Sequence, residues 1–431
     1  MIAKAASLLV VFAVLPAAFG QGSLTPPGAP APSMKTLGQI EPRVAIESLP
    51  YTITSEGAYY LTSNLLVPSG TNGVSVKANN VHLDLGGFTI RGAEGSKDGV
   101  SIAAGQINVT IENGTIRATE IGVSAAGASK LNLRKLFVAG TLGDGLVTGD
   151  DSVIRDCRVN GTDGVGVRVG ARSSVEGVQS AQNFGAGIVA GAGSSVRDCQ
   201  ATRNAGAGIT AGPHSKLVGV AAHENNDVGI DAGNNASVID SAASQNRMGG
   251  VRGQAYVLVS RTTVSYNQNV GITAGVSSSV IDCNISANGW VGLVAGAGAQ
   301  VANCKAEGNP GGGISVGEGS TVRDCTASRN GNDGILVTSE CTVVRNQCNN
   351  NVNIRNASGI HATGTDNVIQ ENTMISNDRG LALDAGGNLV TKNSATNNSL
   401  NYYAVGGQIM GPIITSFENG ETVTPASNFA F

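Results

Sequence analysis

The chain has 431 residues, of which 61 are glycine, with aromatic residues at 4% and charged residues at 13%. So few charges exclude a coiled coil or a charge-driven disordered chain. A net charge of -4 without a basic stripe offers nothing to neutralise phosphates, so nucleic acid is not an expected partner.

At the start, Lys4 precedes the apolar run "AASLLVVFAVLPAAF", and Ala18, Phe19 and Gly20 supply a small-x-small cleavage site before Gln21. This pattern predicts a secretory signal peptide over residues 1–20 and a secreted, periplasmic or cell-surface location. The run is too short for a membrane span, and no later stretch has the roughly 20 apolar residues a spanning helix needs. No transmembrane segment is therefore expected after signal removal. Residues 21–34, "QGSLTPPGAPAPSM", read as an extended linker rich in proline and glycine.

A repeat follows. Gly145, Gly166, Gly187, Gly208, Gly229, Gly250, Gly271, Gly292, Gly313 and Gly334 fall at a strict period of 21. Less regular starts at Gly73, Gly99 and Gly122, and at Gly359 and Gly380, bring the total to about fifteen units. Counting from each glycine, position plus one is aliphatic throughout the regular array, and position plus nine runs Ile154, Val175, Val196, Leu217, Val238, Val259, Val280, Val301, Val322, Val343. Pairs two residues apart have the period of strands with one buried face. Short strands in a one-directional repeat bury their apolar sides by stacking coil on coil in parallel sheets. At about 4.8 Å per coil, fifteen coils make a rod on the order of 70 Å long.

Position plus seventeen carries Asn183, Asn204, Asn225, Asn246, Asn267, Asn288, Asn309, Asn330 and Asn351. Asparagine tolerates the left-handed backbone of a tight turn, and its amide both donates and accepts, so stacked copies are expected to form an asparagine ladder. With the glycine starts and the coil "VIQENTMISN" at 368–377, this array resembles the pectate-lyase-like superfamily of right-handed parallel β-helices over about residues 73–400. The expected fold is all-β, a right-handed parallel β-helix of about fifteen coils with 21 residues in each regular coil, its handedness implied by the resemblance alone. Residues 35–72 and 401–431 are similar to the entry or cap segment and the closing segment of secreted bacterial β-helix repeat proteins.

The phrase "RDC" recurs in this array and invites a catalytic reading. Its cysteine, however, sits at plus twelve, where Cys157, Cys199, Cys283, Cys304 and Cys325 interchange with Val178 and Val220. A slot that accepts valine is a core slot, so free buried thiols are expected, with Cys341 alone outside the core positions. At plus eleven, Asp156, Asp198, Asp240, Asp282 and Asp324 alternate with glycine, asparagine or arginine. That alternation relieves repulsion between carboxylates on neighbouring coils.

The resemblance implies enzymes that cut or epimerise acidic polysaccharides on an exposed sheet face, with clustered carboxylates, a basic residue and often calcium. No such cluster is evident in this chain. The weak substrate-binding candidates are Asp231 with Arg252 on neighbouring coils, His223 with Glu224 near the asparagine turn, and the aromatic pair Tyr266 and Trp290. Catalytic residues are not identifiable, no metal ligand set or cofactor is expected, and calcium is supported by the resemblance without a motif. The expectation is an exported, monomeric solenoid with a structural or glycan-binding role and polysaccharide as partner. The alternative is a lyase, glycoside hydrolase or epimerase whose site is spread over neighbouring coils.

Overall fold

Small and β-branched residues in a 21-residue period leave each coil room for three short strands and three bends. The computed structural model describes residues 42–352, 356–415 and 423–431. The expected signal peptide and linker lie outside the described residues. The described part is all-β, and every strand pairing in it is parallel. In a representative coil, strands Ile188–Ala190, Ser195–Arg197 and Gln200–Thr202 are joined by a short turn and then by a single bend. Each strand stacks on its counterpart one coil on, as Ile188, Val189 and Ala190 do on Ile209, Thr210 and Ala211.

The first-strand sheet has 17 members, from Tyr51–Ile53 to Leu400–Ala404, so the solenoid has 17 turns against the fifteen read from the glycine starts. One of the two additional turns begins in the segment read as the entry piece, the other at the junction with the closing piece. The second and third strands fuse into eight-residue strands at Thr110–Arg117 and Asn132–Ala139, joining their two ribbons near the N-terminal end.

Inside the coils, the plus-one and plus-nine rows are fully buried, among them Ile188, Ile209, Ile230, Val196, Leu217 and Val238. Such a row removes nearly the whole side chain from water, worth roughly 1.5–3 kcal/mol for each aliphatic residue. The position-zero glycine owes its strictness to close approach. A Cβ at Gly208 would stand 2.5 Å from the Gly229 carbonyl oxygen and 2.7 Å from Asn225 Nδ2.

The ladder is continuous. Asn204 Nδ2 donates to Asn225 Oδ1 at 2.9 Å, Asn225 to Asn246 at 3.0 Å and Asn246 to Asn267 at 2.9 Å, and each amide also donates to a backbone carbonyl. The left-handed residue is not the ladder asparagine but the one before it, including Arg203, Glu224, Gln245 and Tyr266. The expectation that the left-handed turn selects asparagine at plus seventeen is therefore corrected: the buried amide network selects it. Near the C-terminal end a second ladder fills the plus-twelve slot, running from Asn346 through Asn372 and Asn393 to Asn428.

The recurring RDC phrase is scaffold. All seven cysteines are unpaired and buried, including Cys341 at 1% exposure, so its expected prominence is corrected. Burial pushes the Cys157 and Cys199 thiols up to about 12, which leaves them protonated and poorly nucleophilic. The plus-eleven aspartates stand at left-handed single-residue bends, with φ of 54° at Asp156 and 51° at Asp198. Between them, Gly177 and Gly219 adopt the same left-handed bend, while Arg261 and Arg345 fill it with a cation bonded to the preceding aspartate.

Candidate functional site

A side chain can reach a ligand only from an outward position of a strand or from a turn. The first-strand sheet presents the outward row Asp231, Arg252, Thr273, Val294, Ser315, Leu336 and His361, one residue per coil. Along its edge runs the turn that follows the ladder, rich in glycine and carrying Met248 and Trp290. Two hollows open between edge and sheet. One, of about 160 Å³, is lined by Met248, Gly249, Arg252, Asn269 and Thr273; the other, of about 80 Å³, by Val294, Gly311, Ser315, Asp333 and Leu336.

The sequence candidates divide between surfaces. Asp231 and Arg252 meet on the cleft row as a two-pronged pair, Arg252 Nε to Oδ1 at 3.0 Å and Nη2 to Oδ2 at 2.6 Å. The bonds to Asp231 raise the Arg252 pKa. His223 and Glu224 belong to the third-strand side. His223 Nδ1 lies 2.6 Å from Ser244 Oγ, and burial lowers its pKa. Glu224 accepts from Arg203 Nε at 2.6 Å, which holds its carboxyl below the usual range. Tyr266 immediately precedes ladder residue Asn267, whereas Trp290 lies two residues beyond Asn288 and borders the cleft. Both rings are exposed and make no ring contact with each other. The indole instead covers Gly311 of the next coil, where a Cβ would stand 2.9 Å from Cδ2.

Two features of this face escape the sequence reading, and a third is read only in part, through Trp290. At its C-terminal end His361 is clamped, Nδ1 to Asp333 Oδ2 at 2.9 Å and Nε2 to Asp384 Oδ2 at 2.9 Å. Asp333 is itself buried and accepts the Ser358 amide at 2.7 Å. Hydrogen bonding to Asp333, aided by Asp384, raises the His361 pKa. Two carboxylates acting as acceptors favour the protonated ring, which donates from both nitrogens and in that form has no lone pair for base catalysis. The glycine starts hide this group because Gly334 and Gly359 are 25 residues apart rather than 21.

At the other end, half-buried Asp98 sits next to Gly99, with hydrogen bonds from Ser124 and Ser101; burial raises its pKa, and the Glu120 charge adds to the shift. The third feature is the edge itself. Large apolar residues recur in this one turn, with Leu142 at 66%, Phe184 at 74%, Met248 at 51% and Trp290 at 58% exposure. Their positions relative to the ladder would have disclosed the series.

Among the described residues no group of three or more His, Cys, Asp or Glu could hold a metal ion. Asp231 is bonded to Arg252 of the first hollow, and Asp333 of the second hollow to His361. No helix of the described residues is long and apolar enough to cross a membrane.

Among solved structures, the catalytic domain of a GH87 alpha-1,3-glucanase is similar at 14% identity and a TM-score of 0.39, with 63% of this chain and 61% of that one covered. The chain thus spans about three fifths of that domain. The A-module of a mannuronan C-5 epimerase of Azotobacter vinelandii is similar at 14% identity and a TM-score of 0.35, covering 77% of this chain and 90% of that one. A pectate lyase is similar at 17% identity and a TM-score of 0.35, covering 55% and 71%. Likenesses this distant assign no activity. No curated protein matches the sequence significantly. The family model for the right handed beta helix region matches residues 53–212, 98–251, 186–322 and 250–400, and the chain belongs to that family.

Proposed function

We propose that this chain is an exported β-helix that binds polysaccharide along the first-strand face without transforming it. The observation that carries this reading is the spaced apolar edge. Leu142 and Phe184 are two coils apart, Phe184 and Met248 three, and Met248 and Trp290 two. These separations correspond to about 10, 14 and 10 Å along the rod. An aliphatic side chain, a phenyl ring, a thioether and an indole, two or three coils apart on one turn, suit a long ligand with repeating apolar faces. The polar groups beside them are occupied by one another, Asp231 by Arg252 and His361 by its two aspartates, which supports orientation of a ligand over proton transfer.

One observation favours a second reading. Asp98 is an acid on the same face with a raised pKa, the property a general acid needs. The test is a panel of acidic and neutral polysaccharides assayed for retention and for new reducing ends or unsaturated products. Retention that weakens in Phe184→Ala and Trp290→Ala, without turnover, supports the binding reading. Turnover that disappears in Asp98→Asn establishes the enzyme instead.

A further inference from the structure

Eleven of the described arginines have a carboxylate within salt-bridge distance, from Arg43 with Asp84 to Arg345 with Asp324. Of the six that have none, Arg91, Arg117 and Arg158 gather in the N-terminal part of the third-strand ribbon. Arg91 and Arg117 are register partners one coil apart, both exposed, and neither has a hydrogen-bond or ion-pair partner among the described residues. Like charges directly opposite each other on a sheet are destabilising, so the fold gains nothing from this pair.

The surroundings are shaped as well as charged. Two adjoining hollows, of about 300 and 310 Å³, share Arg91 and Arg117. The first is completed by Asn64, Leu66 and Thr89, the second by the small residues Ala118, Ala139 and Gly140. In the neighbouring outward row, Thr115 is followed by Phe137 and then Arg158. The Phe137 ring is partly exposed, and the Arg158 guanidinium lies 5.6 Å from its centroid, again without a carboxylate partner.

We propose that Arg91, Arg117, Phe137 and Arg158 form a groove for an acidic glycan, a chain of sugar rings bearing carboxylate groups. Guanidinium forks match carboxylates in plane and in charge. Two forks one coil apart, at about 4.8 Å, and a third two coils beyond Arg117 fit anions repeated along an extended chain. The phenyl ring and Leu66 offer apolar contact to the ring faces between those anions. Hollows of this size hold several rings rather than one small ion. Three arginines on a chain of net charge -4 are too few for a nucleic-acid track. The groove lies on a different sheet from the apolar edge and does not depend on it.

The test is calorimetric titration of the full chain with tetragalacturonate, with its methyl ester and with inorganic sulfate. The acidic tetrasaccharide is expected to bind, more weakly as salt rises, and the ester and sulfate to bind at least about tenfold more weakly. Arg91→Gln with Arg117→Gln loses at least about tenfold in affinity, as two charge-assisted contacts imply. Arg155→Gln on the adjacent ribbon changes nothing. Absence of binding by the acidic tetrasaccharide, equal binding of the ester, sulfate competing as strongly, or full affinity in the double variant would each overturn the proposal. Circular dichroism and unfolding midpoints of the exposed-site variants separate lost binding from lost fold.

Discussion

Two outward charge rows begin in the same N-terminal coils and follow opposite rules. On the second-strand ribbon the register row runs Asp84, Glu112, Arg134, Arg155, Glu176, Arg197. Its adjacent like charges are compensated: Arg134 is bonded to Glu112, and Arg155 lies 2.9 Å from Glu176. On the third-strand ribbon Arg91 faces Arg117 with no acid between or beside them. The backbone and the repeat are shared, so the difference belongs to the side chains alone. A solenoid core fixes where outward residues stand without dictating what they are, and a row that the fold does not reward points to a ligand.

The largest effect on the stack that carries these rows is expected from the buried ladder further along it. Asn225→Ala leaves the Asn204 side-chain and backbone amides without their acceptor and removes one of the two donors to Asn246 Oδ1. Buried unmade bonds of this kind cost on the order of 3 kcal/mol in sum, read as a lowered urea midpoint with both surfaces affected. Trp290→Ala tests whether the apolar edge is a third, independent surface: loss of about tenfold in affinity for a neutral polysaccharide is expected, the size of an interface anchor, with no change in unfolding. Arg155→Gln removes one exposed pair from the compensated row and is expected to destabilise by only a few tenths of a kcal/mol.

His361 sharpens the comparison through pH. Its pKa is raised in the folded chain, so its clamp contributes stability fully below the unfolded histidine value of about 6.5. That contribution is lost as pH rises through the folded value. Wild type should therefore lose more of its urea midpoint between about pH 5.5 and 8.5 than His361→Gln does. Equal losses would show that the two aspartates hold the neutral ring as well as the charged one.

Much of the fold was legible because the core rows obey the period. Ile188, Ile209 and Ile230 recur at 21 residues and all are buried, and the asparagines between them do the same. The C-terminal ladder of Asn346, Asn372 and Asn393 was missed because its coils are unequal in length. The same irregularity hid Asp333 with His361, and Arg91 with Arg117, which stand 26 residues apart. Asp231 and Arg252 were legible as a pair because they lie in the regular array. Which charges lack partners is a property of three-dimensional neighbours, and no spacing in a single chain reports it.

The most direct measurement is Arg117→Glu, with its unfolding midpoint and its tetragalacturonate affinity taken on the same preparation. The substitution turns the opposed arginines into an opposite-charge pair, worth roughly 0.2–1 kcal/mol relative to a neutral pair. The account predicts a midpoint at or above wild type together with loss of binding, the pattern of a site kept at some expense to stability. A lowered midpoint with binding intact would contradict it, and would make the arginine pair part of the scaffold.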